Sequence, residues 1–215
     1  MNILIMGGPG AGKGTMSAKI VEKFKVNHIS TGDIFRSEIG KQTELGLMAK
    51  SYMDKGYLVP DEVTNAMVKS YLEKLDNTKG FLLDGYPRTI DQAKAFTEIS
   101  EGTTLAIEKV LFLEIDFKEL AGRVTGRRLC KGCGEIYHIT SNPSKKEGVC
   151  DKCGSELYQR KDDTEESLKI RLEEYASSTK PVLDFYEEKG MVVRIDAAQP
   201  IDQVWNDTLK ALEDK

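Results

Sequence analysis

Gly7-Gly8-Pro9-Gly10-Ala11-Gly12-Lys13-Gly14-Thr15 lies between the apolar run Ile3-Leu4-Ile5-Met6 and the glycine-free stretch Met16 to Phe24. That order predicts strand, glycine loop and helix. Gly7, Gly12 and Lys13 match G-x-x-x-x-G-K, in which glycines let backbone N–H groups face phosphate oxygens and the helix start adds its dipole. Lys13 then reaches the outer phosphates. An ordinary turn between strand and helix does not need this density of glycine. In one respect the loop departs from the common pattern: the position after Lys13, where a magnesium-binding hydroxyl is usual, is Gly14, and the hydroxyl comes one later at Thr15. Magnesium is therefore expected to be held largely by nucleotide and water.

Working outward, the remaining apolar runs keep the same alternation. Val26 to Ile29, Phe81 to Leu83, Val110 to Ile115 and Met191 to Ile195 read as further strands, with helical stretches between them and a closing amphipathic helix from Ile201 to Leu212. Strands alternating with helices predict an α/β fold. Its core is a five-stranded parallel sheet flanked by helices, with ligands beyond the carboxyl edge. At 215 residues there is room for one such domain and one or two small insertions. A net charge of −4 argues against a nucleic-acid or anionic-membrane surface, and no apolar run approaches a membrane span. The chain is expected to be soluble, without an export signal.

Positive charge is concentrated locally instead. The chain has 23 lysines but only eight arginines, Arg36, Arg88, Arg123, Arg127, Arg128, Arg160, Arg171 and Arg194, and most stand beside motifs. A guanidinium fork grips phosphate oxygens in two places, so such placement suits a phosphate site. In Ser30-Thr31-Gly32-Asp33-Ile34-Phe35-Arg36, Thr31 is expected to cap a helix, with Arg36 bordering the same pocket. The stretch from Thr31 to Lys55 reads as a helical flap broken at Gly40 and Gly46, and Pro60-Asp61-Glu62 opens a new helix. His28 is expected to be a strand-end residue only.

Asp84 ends an apolar strand, where a carboxylate can organise hydrated magnesium, and Gly85, Pro87 and Arg88 after it suggest a phosphate-facing turn. Gln92, in the first turn of the next helix, carries an amide that both donates and accepts. Asp116 is expected to begin a helix carrying Arg123, Arg127 and Arg128, the first two on one face. Asp163 and Glu166 read as a capping box for a long helix bearing Arg171, while Asp162 and Asp163 are expected partners for Arg123, Arg127 or Arg160 when these await phosphate.

All four cysteines fall in one window, Cys130-x-x-Cys133 and Cys150-x-x-Cys153. Two such knuckles wrap four thiolates round one tetrahedral ion, which predicts a closed structural zinc site that folds a small lobe and takes no part in chemistry. Iron fits the same ligands. A pair of redox dithiols is disfavoured by the lack of thioredoxin-like surroundings, and a nucleic-acid-binding zinc ribbon by the lack of a basic aromatic stripe. With four thiolates available, His138 is given a surface or nucleotide-edge role.

Together these stretches resemble the adenylate kinase family in its long form with a zinc-bearing lid: GGPGAGKGT, STGD with Arg36, GFLLDGYPRT with Gln92, GRR at Gly126, and YQRKDD with Arg171. The resemblance runs from Met1 to the final helix. It implies interconversion of ATP and AMP with two ADP, with magnesium, in a cytoplasmic monomer that binds neither nucleic acid nor membrane. It also implies a core of residues 1–29, 60–126 and 164–215, an AMP-binding domain of 30–59 and a zinc-binding lid of 127–163. Position by position, Gly10, Ala11, Gly12, Lys13, Gly14, Thr15, Arg123, Arg127, Ile136, Tyr137 and Gln199 would border ATP. Thr31, Arg36, Tyr57, Leu58, Val59, Gly85, Tyr86, Pro87, Arg88, Gln92, Arg160 and Arg171 would border AMP or the phosphate in transfer.

The catalytic set implied is Lys13, Arg36, Arg88, Arg123, Arg160 and Arg171, with Asp84 for magnesium. Cys130, Cys133, Cys150 and Cys153 match the family's zinc positions. Met16 and Ala197 depart from the family's usual Gln and Gly, and only the backbone of Tyr57 is expected to matter. Another nucleoside monophosphate or small-metabolite kinase is the alternative enzyme; a nucleotide-switched zinc-ribbon module is the alternative outside enzymes.

Overall fold

A computed structural model describes residues 1–213; Asp214 and Lys215, the last two of the expected core, lie outside the described residues. The chain runs β1 (Asn2–Gly7), α1 (Lys13–Phe24), β2 (Asn27–Ser30), α2 (Thr31–Gly40), α3 (Glu44–Met53), α4 (Asp61–Glu73), β3 (Phe81–Asp84), α5 (Ile90–Ser100), β4 (Lys109–Glu114) and α6 (Leu120–Thr125). A lobe of β5 (Arg127–Cys130), β6 (Ile136–His138) and β7 (Leu157–Tyr158) follows. The chain then returns through α7 (Glu165–Glu174), α8 (Lys180–Glu187), β8 (Val192–Asp196) and α9 (Ile201–Glu213).

The expected parallel sheet is present, in the order β2-β3-β1-β4-β8, all neighbours parallel. The central strands β1, β3 and β4 are buried on both faces, and the period of two divides each between two cores. Leu4, Met6, Phe81, Leu83, Val110 and Phe112 enter one cluster with α4, α5 and α8. Ile3, Ile5, Leu82, Leu111 and Leu113 enter the other, with α1 and α9. Register fixes what this positions: Ile5 pairs with Asp84 and Ser30 with Asp84, so the carboxyl ends of β1, β2 and β3 come out side by side below the glycine loop.

Four local expectations are corrected. Gly46 does not break the flap but sits inside α3, where a Cβ would run into the Glu38 carbonyl; the glycine lets α3 lie on the end of α2. Ser30, not Thr31, caps α2, its Oγ accepting from Asp33 N at 3.3 Å. The hydroxyl of Thr31 instead donates to the Gly85 carbonyl at 2.8 Å, tying β2 to the turn after β3. Arg127 and Arg128 are not helical: α6 stops at Thr125, and Arg127 opens β5, paired antiparallel with His138 of β6. The cross-strand ladder supplies hydrogen bonds that one more turn of helix would otherwise have made.

The fourth correction is at the entry to α7. Thr164 is the cap, accepting from Ser167 N at 3.2 Å, which frees Asp163 to turn inward, fully buried. The expected long helix is α7 and α8 joined by a π turn, 175–179.

Candidate active site

The glycine loop folds as its composition demands. Gly10 and Gly12 have φ of 87° and 96°, a region that costs an L side chain and costs glycine nothing. A Cβ on Gly10 would also lie 2.8 Å from Val124 of α6. Lys13 opens α1 and curls its ammonium back over the loop, donating to the carbonyls of Gly7 at 2.8 Å and Gly8 at 2.9 Å. Although Lys13 as a residue is partly exposed, its ammonium sits deep. Burial lowers its pKa from 10.5 to about 7; Asp84 opposes the fall, while Arg88, Arg171 and Arg127 add to it.

Beside the loop, Asp84 is nearly buried and accepts from Ser17 Oγ at 3.4 Å. His28, expected to be a bland strand-end residue, has Nε2 3.9 Å from the same carboxylate. Sequence distance concealed that neighbour. The turn after Asp84 is drawn tight by Gly85, at φ 81°, where a Cβ would lie 2.8 Å from the Arg88 guanidinium. Arg88 Nε donates to the Gly85 carbonyl at 2.8 Å, so the guanidinium is folded over the turn. The Tyr86–Pro87 peptide within it is cis.

Five of the arginines named from sequence, Arg36, Arg88, Arg127, Arg160 and Arg171, come from separate parts of the chain to one place. Arg36 meets Asp33 at 2.5 Å, and Arg160, from beyond the lobe, reaches the same carboxylate at 3.6 Å. Arg127 grips buried Asp163, one bond being Nε to Oδ2 at 2.9 Å, and Arg171 lies 3.2 Å from Asp162 and 3.8 Å from Asp163. Of the expected partners Arg123, Arg127 and Arg160, Arg127 pairs with Asp163, while Arg123 lies by Glu119 and Arg160 takes Asp33; Arg171, not expected there, takes Asp162 and Asp163. Among the described residues, Lys13, Arg36, Arg88, Arg127, Arg160 and Arg171 thus gather round four carboxylates, Asp33, Asp84, Asp162 and Asp163.

The surplus is felt. Arg160 and Arg171 are each lowered to about 10, first by burial; Arg36 and Arg127 lower the former further, and Arg127 and Arg88 the latter. Both stay charged at neutral pH. Arg160 Nε is buried without a partner among the described residues, a donor aimed at something the protein itself does not supply. A cluster of desolvated cations that repel one another is built for a polyanion.

Other residues named from sequence fall around this cluster. Ile136 packs over the loop: a Cβ on Gly14 would lie 2.9 Å from its Cδ1, the far end of that side chain. Tyr137 turns its ring into the lobe, its hydroxyl accepting from Asp151 N at 2.8 Å, so any part it plays at the cleft is through its backbone. Arg123, on α6, lies 4.0 Å from Glu119, apart from the main cluster. Gln199 Nε2 donates to Asp207 and to the Asp196 carbonyl at the end of β8. Tyr57 is exposed and Val59 buried, with Leu58 between. His138 holds the lobe to α6: Nδ1 accepts from Thr140 N at 3.1 Å, leaving Nε2–H for the Gly122 carbonyl at 2.9 Å.

Gln92 is buried, its Nε2 donating to Asp61 and its Oε1 accepting from Arg88 N. Neither Asp61 nor Asp33 stood out in the sequence, because an acid in a first helical turn is ordinarily a dipole partner.

The four cysteine sulfurs lie within 4.8 Å of one another, Cys130 and Cys153 at 3.3 Å and Cys133 and Cys150 at 3.6 Å. Zinc–sulfur bonds of about 2.3 Å in a tetrahedron place sulfurs about 3.8 Å apart, so the set fits one ion. Gly132 N and Cys133 N point at Cys130 Sγ, as knuckle amides do. The Glu135 N–H favours a Cys133 thiolate, yet burial and the other three sulfurs outweigh it and push that thiol up to about 12. The cluster could hold one metal ion.

A glycine loop at the carboxyl edge of a parallel sheet, arginines drawn onto it from two insertions and a four-cysteine lobe above define a nucleoside monophosphate kinase of the long-lid type. The chain belongs to the adenylate kinase family, whose model matches residues 5–191. It is 53% identical over 212 residues to an adenylate kinase of Bacillus licheniformis, covering 99% of this chain and 98% of that one. It is 52% identical over 212 residues to one of Caldanaerobacter subterraneus subsp. tengcongensis, covering 99% and 96%. For one of Staphylococcus aureus the identity is 50% over 213 residues, covering 99% of each.

Proposed function

We propose that this enzyme moves the γ-phosphoryl group of magnesium ATP to AMP, giving two ADP, by direct in-line transfer. The observation that carries it is the surplus of buried cations, led by Lys13, Arg88, Arg160 and Arg171, converging on the glycine loop. The glycine loop and Lys13 hold the ATP phosphates, with Arg123, Arg127, the backbone at Ile136 and Tyr137, and Gln199 on that side. AMP lies between Thr31, Arg36, the segment Tyr57 to Val59, the turn Gly85 to Arg88, and Gln92. An AMP phosphate oxygen attacks the γ-phosphorus as the bond to the β–γ bridging oxygen breaks. Charge then spreads over the equatorial oxygens, where Lys13, Arg36, Arg88, Arg160 and Arg171 oppose it.

Asp84, beside Ser17, would help to hold hydrated magnesium with the nucleotide, and the ion would supply further neutralisation of the phosphates. Residues 30–59 and 127–163 act as the two closing domains over the core, keeping water from the transferred group. The contact of Arg160 with Asp33 supports that assignment, since it joins the two insertions across the site. Zinc on the four cysteines is structural. A cytoplasmic monomer without nucleic-acid partners completes the proposal; the net charge of −4 is in keeping with it.

The test is phosphoryl transfer from magnesium ATP to AMP, CMP, UMP, GMP or no acceptor, with ADP separated and counted. Strong AMP selectivity with little hydrolysis is the expected result. Preference for another acceptor would overturn the AMP assignment, and acceptor-independent hydrolysis the kinase mechanism.

Lys13 gives a second expectation. Its folded pKa of about 7 lies below the unfolded 10.5, so between those values the unfolded chain holds more protons. This group's contribution therefore favours folding increasingly as pH rises through that window. Phosphates restore the ammonium. At pH 8, ATP binding is expected to take up close to one proton, read by calorimetry in two buffers of different ionisation enthalpy. Lys13→Met should remove the uptake; none in the unsubstituted enzyme would mean that the ammonium is already charged before ATP arrives.

A further inference from the structure

We infer that Asp61 sets the choice of acceptor base, by fixing which way round the Gln92 carboxamide faces. The inference rests on the AMP assignment above and adds to it a residue that does not itself touch the nucleotide. Gln92, 2% exposed, is held at both ends of its amide. Nε2 donates to Asp61 Oδ1 at 2.7 Å, and Oε1 accepts from Arg88 N at 2.7 Å. Asp61, in the first turn of α4, is fixed in turn: its other oxygen accepts from Thr89 Oγ1 at 2.7 Å, and that hydroxyl caps α5 by accepting from Gln92 N at 3.1 Å.

An amide can ordinarily rotate by half a turn at little cost, exchanging donor for acceptor. Here it cannot. A carboxylate offers only acceptors and a backbone N–H only a donor, so the reversed amide would set oxygen against oxygen and N–H against N–H in a buried place. One N–H and one oxygen lone pair of Gln92 remain after these bonds. Their order is dictated by the partners of the other two. A 6-aminopurine presents a ring acceptor beside an amino donor, which complements that order; a 6-oxopurine presents a ring N–H beside an oxygen, which opposes it. A site whose buried polar groups are left unpaired by the wrong substrate discriminates more strongly than one that merely excludes bulk.

Gln92 would make the contact, and Asp61 is the positioning residue behind it. Asp61→Asn keeps volume but replaces one acceptor with a donor. An asparagine can then satisfy either orientation of Gln92, leaving Arg88 N alone to oppose the reversed one. Transfer from magnesium ATP to AMP and to IMP should be measured in both proteins, with the ratio of the two kcat/KM values as the readout. That ratio does not depend on how much of the variant is folded, because both acceptors use the same active fraction. The expected result is a fall of about tenfold or more, the worth of one mispaired hydrogen bond, through a higher KM for AMP and a lower KM for IMP, with the KM for ATP unmoved.

If both acceptors decline together and the ratio holds, Asp61 only supports the fold and the inference is overturned. An unchanged ratio with both rates retained overturns it equally. Should the unsubstituted enzyme fail to use AMP at all, the AMP assignment falls first and takes this one with it; the two failures are distinguished by which protein shows them.

Discussion

Arg88→Ala is expected to lower kcat/KM for transfer to AMP by about 10³-fold or more, with the protein still folded. The size follows from what the guanidinium does: a preorganised cation in a desolvated site opposes charge that develops as the phosphoryl group moves, and arginines so placed are worth about 10³ to 10⁵ in rate. Its stability effect should be small or of opposite sign. Arg88 is lowered in pKa, first by burial, with Asp84 opposing and Arg36 adding to the fall, so the free protein holds it at a cost. Alanine relieves that cost and removes one hydrogen bond to Gly85. A melting temperature equal to or above that of the unsubstituted enzyme, with activity nearly gone, is the expected pair of results. Arg88→Lys should recover little, because a point charge cannot reproduce a two-pronged grip. Turnover of the alanine variant within tenfold of normal would show that Arg88 does not face the transferred group.

Metal removal should have the second largest effect, on stability more than on chemistry. Elemental analysis is expected to find one zinc per chain. A strong chelator should then lower the melting temperature by about 10 °C or split off an earlier transition for the lobe; in a chain of this size about 1 kcal/mol moves the midpoint by about 2–4 °C, and structural zinc contributes several. The lobe has little else. Its apolar core is Tyr137 and Leu157 with the ligands Cys130 and Cys150, and its strands have two to four residues. Part of the activity should survive, since none of the four sulfurs is among the groups that converge on the glycine loop. Cys150→Ser should reproduce the loss of stability without chelator. Metal-free protein whose melting is unaltered by chelator would overturn the zinc assignment.

Local chemistry was legible where it was strong. The glycine loop needed positive φ at Gly10 and Gly12 and, at Gly10, no Cβ against Val124, which glycine supplies at no cost. Buried parallel strands needed continuous apolar runs, and the cysteines needed a spacing that closes round one ion. Arginine is too seldom used in this chain to be scattered, so Arg36, Arg88, Arg127, Arg160 and Arg171 could be singled out before their meeting place was known. Where the expectation was wrong, a partner distant in the chain outbid a local preference. Arg127 left its helix because β6 and Asp163 awaited it; Thr31 gave up capping for the Gly85 carbonyl, and Asp163 gave it up for Arg127.

By itself, then, the sequence determined the class of fold, the phosphate loop, the four-cysteine lobe and the stock of cations, because each rests on residue type at short spacing. Only the tertiary structure decided which carboxylate restrains which arginine, that His28 faces Asp84, that Ile136 lies over Gly14, and that Asp61 holds the amide of Gln92. The physical reason is common to all of them. Hydrogen bonds and ion pairs act over a few ångströms, and the sheet brings to that distance residues that the chain keeps dozens of positions apart.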